Sequence, residues 1–310
     1  MSSVALSAIH AELCRLQQEG VEHVFVDEST LSLLQPVPPQ QAAPVQPAVT
    51  TGTIQELDAL IDSKQPPTQK NALPASTTSR TAKPIPQQAP EFELPDGDPD
   101  TQLAWLQDRV ENCPVCNEHL SEDGKVVFGS GSLDAAIFFC GEAPGTDEAI
   151  AGEPFVGKAG ELLTKIIQAM GLQREQVYLA NILKWRPEHD KSYGTRSPTI
   201  EEMNFCLPYL KAQIRIVQPK VIVALGNSAV TGLLGPDPGR RMGSIRGTWH
   251  QFADTPLMIT FHPAYLLAAE SDANPNAKKR LHWEDLLQVM EKAGIPISDR
   301  QRGFFLPRHR

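Results

Sequence analysis

The chain has 310 residues, 21% of them charged, and a net charge of −9, which allows one large domain or two small ones. The acid excess is lopsided, with 5 Lys/Arg against 12 Asp/Glu in residues 1–98 and 23 against 25 in residues 99–310. This excludes a globally basic nucleic-acid binder, yet a near-neutral domain can still carry a local basic groove.

Residues 1–34 read as an amphipathic helix, "MSSVALSAIHAELCRLQQEG", and a short strand, "EHVFVD". The segment is too small to hold a core alone. It lacks the charged start, apolar run and cleavage site of a signal peptide. Residues 35–99 hold 13 of the 27 prolines, with abundant Gln, Thr and Ala. Such a stretch buries too little apolar surface to offset its ordering entropy, which predicts a flexible, disordered linker. A helical island, "TIQELDALIDS", interrupts it, either a transient helix or a segment that docks on a partner. The whole of residues 1–98 is a candidate for recruiting a protein partner.

Residues 100–295 read as one globular domain, followed by a basic tail at 296–310. "TQLAWLQDRVENC" predicts a helix, then "KVVFGSGS" and "DAAIFFCG" predict strands. "AGELLTKIIQAMGL" has helical apolar spacing, with Gly171 as its stop. Strand "QVYLANIL", helix "TIEEMNFCLPYLKAQIRIVQ", strand "KVIVALG", helix "NSAVTGLLG", strand "LMITFH" and helix "KKRLHWEDLLQVMEKAG" follow. This alternation predicts a three-layer α/β/α sandwich with a mostly parallel central sheet. Ligands of such sheets sit beyond the strand C-termini. The residues just after each strand, at 141–145, 181–185, 226–227 and 262–263, are therefore the candidates for function.

Five cysteines without disulfide spacing favour a reducing compartment, and no apolar run approaches the ~18 residues of a membrane span. The expected location is the cytoplasm, without membrane contact.

The first candidate edge is the loop "GEAPGTDEAIAGEPFVGKAG", residues 141–160. Its glycines let the backbone turn tightly and a ligand approach closely. It is not a Walker loop, because Lys158 is followed by Ala159, and it holds no dinucleotide fingerprint. Glu142 is held at the mouth of the sheet, and Phe155 looks exposed. Asn181 and His262 end two other strands. Singly, an Asn there is usually a turn former, and a lone His262 reads as a helix cap or a loop hydrogen bond. Together, a carboxylate, an amide, an aromatic ring and a His at one sheet edge match the removal of a flipped base. The ring stacks on the base, the amide reads its edge, the His stabilises charge on the leaving base and the carboxylate orients water.

These motifs carry a family resemblance. "GEAPGTDEAIAGEPFVGKAGELL", "VYLANILKWRP", "PKVIVALGNSAV", "FHPAYLL" and "KKRLHWEDL" occur in the order found in the uracil-DNA glycosylase superfamily, and residues 105–292 resemble its family 4 enzymes. The resemblance implies a DNA repair hydrolase that cuts the N-glycosidic bond of uracil in single- or double-stranded DNA, acting as a monomer. It implies catalytic roles for Glu142 and His262. It implies base contacts for Phe155 and Asn181, with Ala143 beside the water and Glu148 crowding a 5-methyl group. Tyr265 and Leu266 are expected in the minor groove. Lys184, Lys279 and Arg280 are expected on phosphates. A catalytically weak DNA-binding module of the same fold, tied to a polymerase or another partner, is the alternative.

The resemblance also implies a [4Fe–4S] cluster on four cysteines. Cys113, Cys116 and Cys206 occupy three of the ligand positions, and Trp185 stands at the other. An indole offers a donor N–H and no lone pair for metal. Three arrangements stay open: no metal with Trp185 filling the space, a cluster with His119 or His189 as its fourth ligand, or a three-iron or other metal site.

Overall fold

The computed structural model describes residues 84–86, 88–187, 196–269 and 274–305. The helix and strand read in residues 1–34, the island in the linker and His189 lie outside the described residues.

Six strands form one sheet in the order β1-β3-β2-β4-β6-β5. They are β1 (Ser130–Gly131), β2 (Ile137–Gly141), β3 (Tyr178–Asn181), β4 (Val221–Leu225), β5 (Trp249–Phe252) and β6 (Thr255–Thr260). The four inner strands are parallel and both edge strands are antiparallel. Side chains alternate across the sheet, as the twofold period of a strand requires. Phe138 and Cys140 of β2 face one apolar layer, and Ile137 and Phe139 face the other.

Helices cover both faces. On the first lie α5 (Ile200–Val217), through Leu210, Ile214 and Val217, and α6 (Gly226–Leu234), through Ala229, Val230 and Leu233. On the second lie α4 (Lys158–Ala169), through Leu163 and Ile167, and α9 (Pro275–Ala293), through Leu286 and Val289. The sandwich is the expected one, with largely apolar central strands because both their faces are buried. Helix α1 (Pro99–Glu111) packs outside α5, α2 (Pro114–Glu118) follows it, and the short α7 (Met242–Ile245) lies against the first layer through Met242 and Ile245.

Several elements depart from expectation. "KVVFGSGS" contributes only the two residues of β1, since Lys125 N–H donates to Ala149 and Val127 N–H to Lys184 instead of to a neighbouring strand. The edge strand β5 was not among the expected elements: its hairpin turns through Ala253 and Asp254, both at positive φ, without the usual Asn-Gly signal. The loop after β2 contains a short helix, α3 (Thr146–Ala151). Residues 84–98, read as linker, lie against the domain: Ile85, Phe92 and Leu94 join the apolar cluster around α1, and the Phe92 ring stacks on Tyr209 at 5.5 Å. The first ten residues of the basic tail also pack, with Ile297 and Phe304 against the second layer and Trp283 Nε1 donating to Gln301 O.

Behind β6 lies a buried polar network. Thr260 Oγ1 donates to Asp285 Oδ2 at 2.6 Å, and the Arg246 guanidinium binds both oxygens of the same carboxylate. His282 Nδ1 lies 2.9 Å from Thr260 Oγ1; with the hydroxyl proton spent on Asp285, the imidazole is the donor. Burial, then the Arg246 charge, push His282 down to about 3, so its ring is neutral. Unfolded histidine titrates near pH ~6.5. The unfolded chain therefore takes up a proton below that pH which the folded chain does not, and stability is lost as pH falls from about 6.5 toward 3. Chemical denaturation at pH 7, 6 and 5 should show midpoints that decline with acid, by up to about 1.4 kcal/mol per pH unit for this residue. His282→Gln should flatten that slope.

Candidate active site

The loop after β2, the end of β3 and the start of α8 (Pro263–Ala268) enclose a cavity of about 260 Å³ at the C-terminal ends of the inner strands. Its volume falls below the ~300–1,000 Å³ of sites for drug-sized ligands and suits one small ring. Glu142, Ala143, Glu148, Phe155, Asn181 and His262, six of the residues singled out in the sequence, all line it.

Phe155 is 5% exposed, not the exposed ring its loop suggested. Its backbone sits at φ 55°, a region costly for a side chain of this size. Two missing side chains hold it there. A Cβ on Gly160 would lie 1.9 Å from Phe155 O, and one on Gly141 would lie 2.5 Å from Phe155 Cζ and 2.3 Å from Asn181 Oδ1. Both glycines are thus required by close approach. Glu148 braces the same loop: its carboxylate accepts from the N–H groups of Gly145, Val156 and Gly157 at 3.0–3.1 Å. Its oxygens are committed to backbone, so its effect on the cavity runs through the position of the loop.

Asn181 is 3% exposed at the end of β3. Ladder bonding continues past it, with Ile182 N–H on Gly141 O and Leu183 N–H on Glu142 O, which sets Glu142 beside the amide. His262 caps α8, since its Nδ1 accepts from Ala264 N–H at 3.1 Å. Capping and function coincide: with Nδ1 accepting, the neutral ring carries its proton on Nε2 and offers a donor. Burial pushes His262 down to about 4, against a smaller opposing pull from Glu148. The Phe155 and His262 rings lie 6.1 Å apart.

Two expected DNA contacts are corrected. Lys184 is fully buried, and its Nζ donates to Phe128 O, Asn181 O and Gln213 Oε1 at 2.8–3.1 Å. Burial pushes it down to about 8. Its work is to hold the exit of β3, because the three acceptors that receive its protons all lie inside the fold. Leu266 is 1% exposed, since the helix turn puts it in the core, whereas Tyr265 next to it is 45% exposed with Lys278 Nζ 4.3 Å from its ring centre. Lys279 is half-buried, and Arg280 is exposed and paired with Glu284 at 2.8 Å.

Arg196 and Pro187 also line the cavity wall, beside Pro144 of the 141–145 edge, and nothing in the sequence pointed to these two. Arg196 is anchored by Glu202, which also closes the capping box of α5 through Thr199. Only the fold brings the loop that carries it to this edge.

Cys113, Cys116, Cys206 and Trp185 gather in one apolar cluster. A [4Fe–4S] cluster takes four thiolates. Three thiols and a buried indole do not fit that group, and among the described residues no group of three or more His, Cys, Asp or Glu could hold a metal ion. No catalytic step is derived through one.

A ring-sized cavity at the strand ends, walled by an aromatic face, a carboxamide and a neutral imidazole, is the layout of a nucleobase-binding α/β protein. A family model described as the uracil DNA glycosylase superfamily matches residues 128–287, and the chain belongs to that superfamily. It is 40% identical over 184 residues to the type-4 uracil-DNA glycosylase of Thermotoga maritima, covering 58% of this chain and 89% of that relative. The type-4 uracil-DNA glycosylase of Pyrobaculum aerophilum is 37% identical over 53% of this chain and 84% of its own length. The Archaeoglobus fulgidus enzyme of that name is 45% identical over a shorter stretch, 39% of this chain and 57% of the relative. Among the described residues no helix is long and apolar enough to cross a membrane.

The desolvation of His262 has a direct readout. Its ring proton shifts, followed by NMR from pH 3 to 8, should titrate near pH 4 and stay flat above pH 6. A midpoint above pH 6 would show a hydrated ring and remove the basis for its neutral form.

Proposed function

We propose that this chain is a DNA repair glycosylase that hydrolyses the N-glycosidic bond of uracil in DNA. The observation that carries the reading is the convergence of Phe155, Asn181 and the Nε2–H form of His262 on one cavity of about 260 Å³. The flipped uracil stacks on Phe155. Asn181 pairs with its edge through one acceptor and two donor hydrogens. As the C1′–N1 bond breaks, its electron pair moves onto the base, and His262 donates from Nε2 to the carbonyl oxygen where charge collects. A neutral donor suits this task, since it steadies the anion without giving up its proton. Glu142 orients a water on the sugar and takes its proton as the water oxygen bonds to C1′. The products are free uracil and an abasic site.

Ala143 lies beside the water, and the braced loop around Glu148 limits room at the base's C5 position against thymine. DNA is held at the cavity mouth by Tyr265, Lys279 and Arg280. Single- and double-stranded DNA both reach a cavity of this kind. The protein acts as a monomer in the cytoplasm; the four cysteines among the described residues are free thiols, which suits a reducing compartment. Residues 1–83 are proposed to recruit a protein partner. Because residues 84–98 pack on the domain, a deletion that ends at residue 83 should leave excision intact.

Release of uracil from single- and double-stranded oligonucleotides tests the assignment. His262→Ala and Asn181→Ala should each slow excision by roughly 10²–10³-fold, the usual loss for one transition-state donor. Wild-type rates in both variants, or no uracil release by the native chain, would sink it; retention of uracil-DNA without release would favour the binding-module alternative. Lys279→Ala should reduce the salt slope of DNA binding by about 1.

A further inference from the structure

The segment that leaves the cavity leads straight to the cysteines. Four residues after Asn181 comes Trp185, 1% exposed and among the largest fully buried side chains. Its ring lies 5.0 Å from that of His119 and 6.4 Å from that of Phe205, within the range of favourable aromatic pairs. Leu106 and Val110 of α1, Cys113 and Cys116 at α2, and Cys206 and Tyr209 of α5 complete one apolar cluster with it. The thiols are free and neighbour one another: Cys116 lies near both Cys113 and Cys206, and Cys113 near Tyr209, and a neighbouring thiol, then burial, pushes the thiols of Cys113 and Cys116 up. They behave as small apolar side chains with weak polar ends. His119 Nδ1 is engaged with Val115 O at 2.8 Å, and its ring lies against the indole.

In this superfamily chain the tryptophan stands where the resemblance placed a metal ligand, and it ties together the same three pieces of chain. We propose that Trp185 replaces the cluster as the anchor of this corner. The indole packs α1, α2 and α5 onto the β3 exit, and the chain folds without iron. Lys184 works alongside it by binding Asn181 O and Phe128 O. The pair thereby fixes the exit that presents Asn181, so Trp185 acts as a positioning residue for the site. The claim about activity rests on the glycosylase reading; the claim about metal does not.

The test uses the full chain, purified anaerobically from iron-replete cells. Iron, acid-labile sulfide and zinc are measured per chain, and thermal unfolding is followed with and without a chelator. The wild type should hold no stoichiometric metal and unfold at the same temperature in both conditions. Trp185→Ala should lower Tm by roughly 10 °C, and Trp185→Phe should recover most of the loss. Trp185→Ala should also raise KM for uracil-containing DNA more than it lowers kcat. Trp185→Cys should take up iron and sulfide on reconstitution. About three or four irons per wild-type chain, or one equivalent of another metal, would overturn the proposal. So would wild-type unfolding by Trp185→Ala, or a Trp185→Cys chain that stays iron-free. If Trp185→Ala does not fold, metal content of the wild type and of Trp185→Cys decides. Loss of the glycosylase reading alone would leave these metal results standing.

Discussion

The cavity depends on one close approach. At Gly141 the end of β2, the ring of Phe155 and the amide of Asn181 meet in a space where a single methyl group would collide with both. Phe155 reaches that point only by a left-handed backbone turn, and the turn is held by Gly160 against its carbonyl and by Glu148 bonded to the loop amides. Gly141, Gly160 and Glu148 therefore serve one purpose. The glycines clear the contact, and the carboxylate of Glu148 pins the loop that makes it. Strain of this kind persists only where the surroundings over-determine it, which is the situation of a preorganised site.

The electrostatics follow from burial in the same way. His262 is neutral because its surroundings desolvate it, and the amide it caps decides which nitrogen keeps the proton. The network of Thr260, His282, Asp285 and Arg246 stands behind the last inner strand, two residues before that histidine. It spends buried polar groups on the strand end rather than on the cavity. Lys184 does the same for β3. A lysine that looked like a phosphate contact is thus an internal strut with three acceptors. Basic residues near a DNA-processing site are not all DNA contacts, and burial separates the two kinds.

The cysteine corner carries the most individual feature of the chain. Three thiols keep the spacing of a ligand set, but the position that would complete it holds a ring that packs and does not coordinate. Packing and coordination are alternative ways to hold α1, α2, α5 and the β3 exit in register. In this chain packing alone orders the residues that follow Asn181.

Much was legible in the sequence for a simple reason. Apolar runs buried on both faces leave no ambiguity about inner strands, so β2, β3, β4 and β6 were readable, and the rule that ligands sit at strand C-termini picked out Glu142, Asn181 and His262, with Phe155 the aromatic of the loop that begins at the first of them. Motif order supplied the family. Direction and burial of side chains were not legible, because they depend on what a segment meets after folding. Lys184 and Leu266 turned inward, Phe155 proved buried, and Arg196 entered the cavity wall from a loop distant in sequence. The hairpin strand β5 and the packing of residues 84–98 were equally hidden, one lacking a turn signal and the other too rich in proline to advertise its few anchoring apolar side chains. The sequence by itself determined which residue types stand at the sheet edge and that Trp185 interrupts a set of cysteines. Tertiary structure alone decided which of those residues share one cavity, which proton His262 keeps and what the indole touches, because those facts arise from desolvation and contact between segments far apart in the chain.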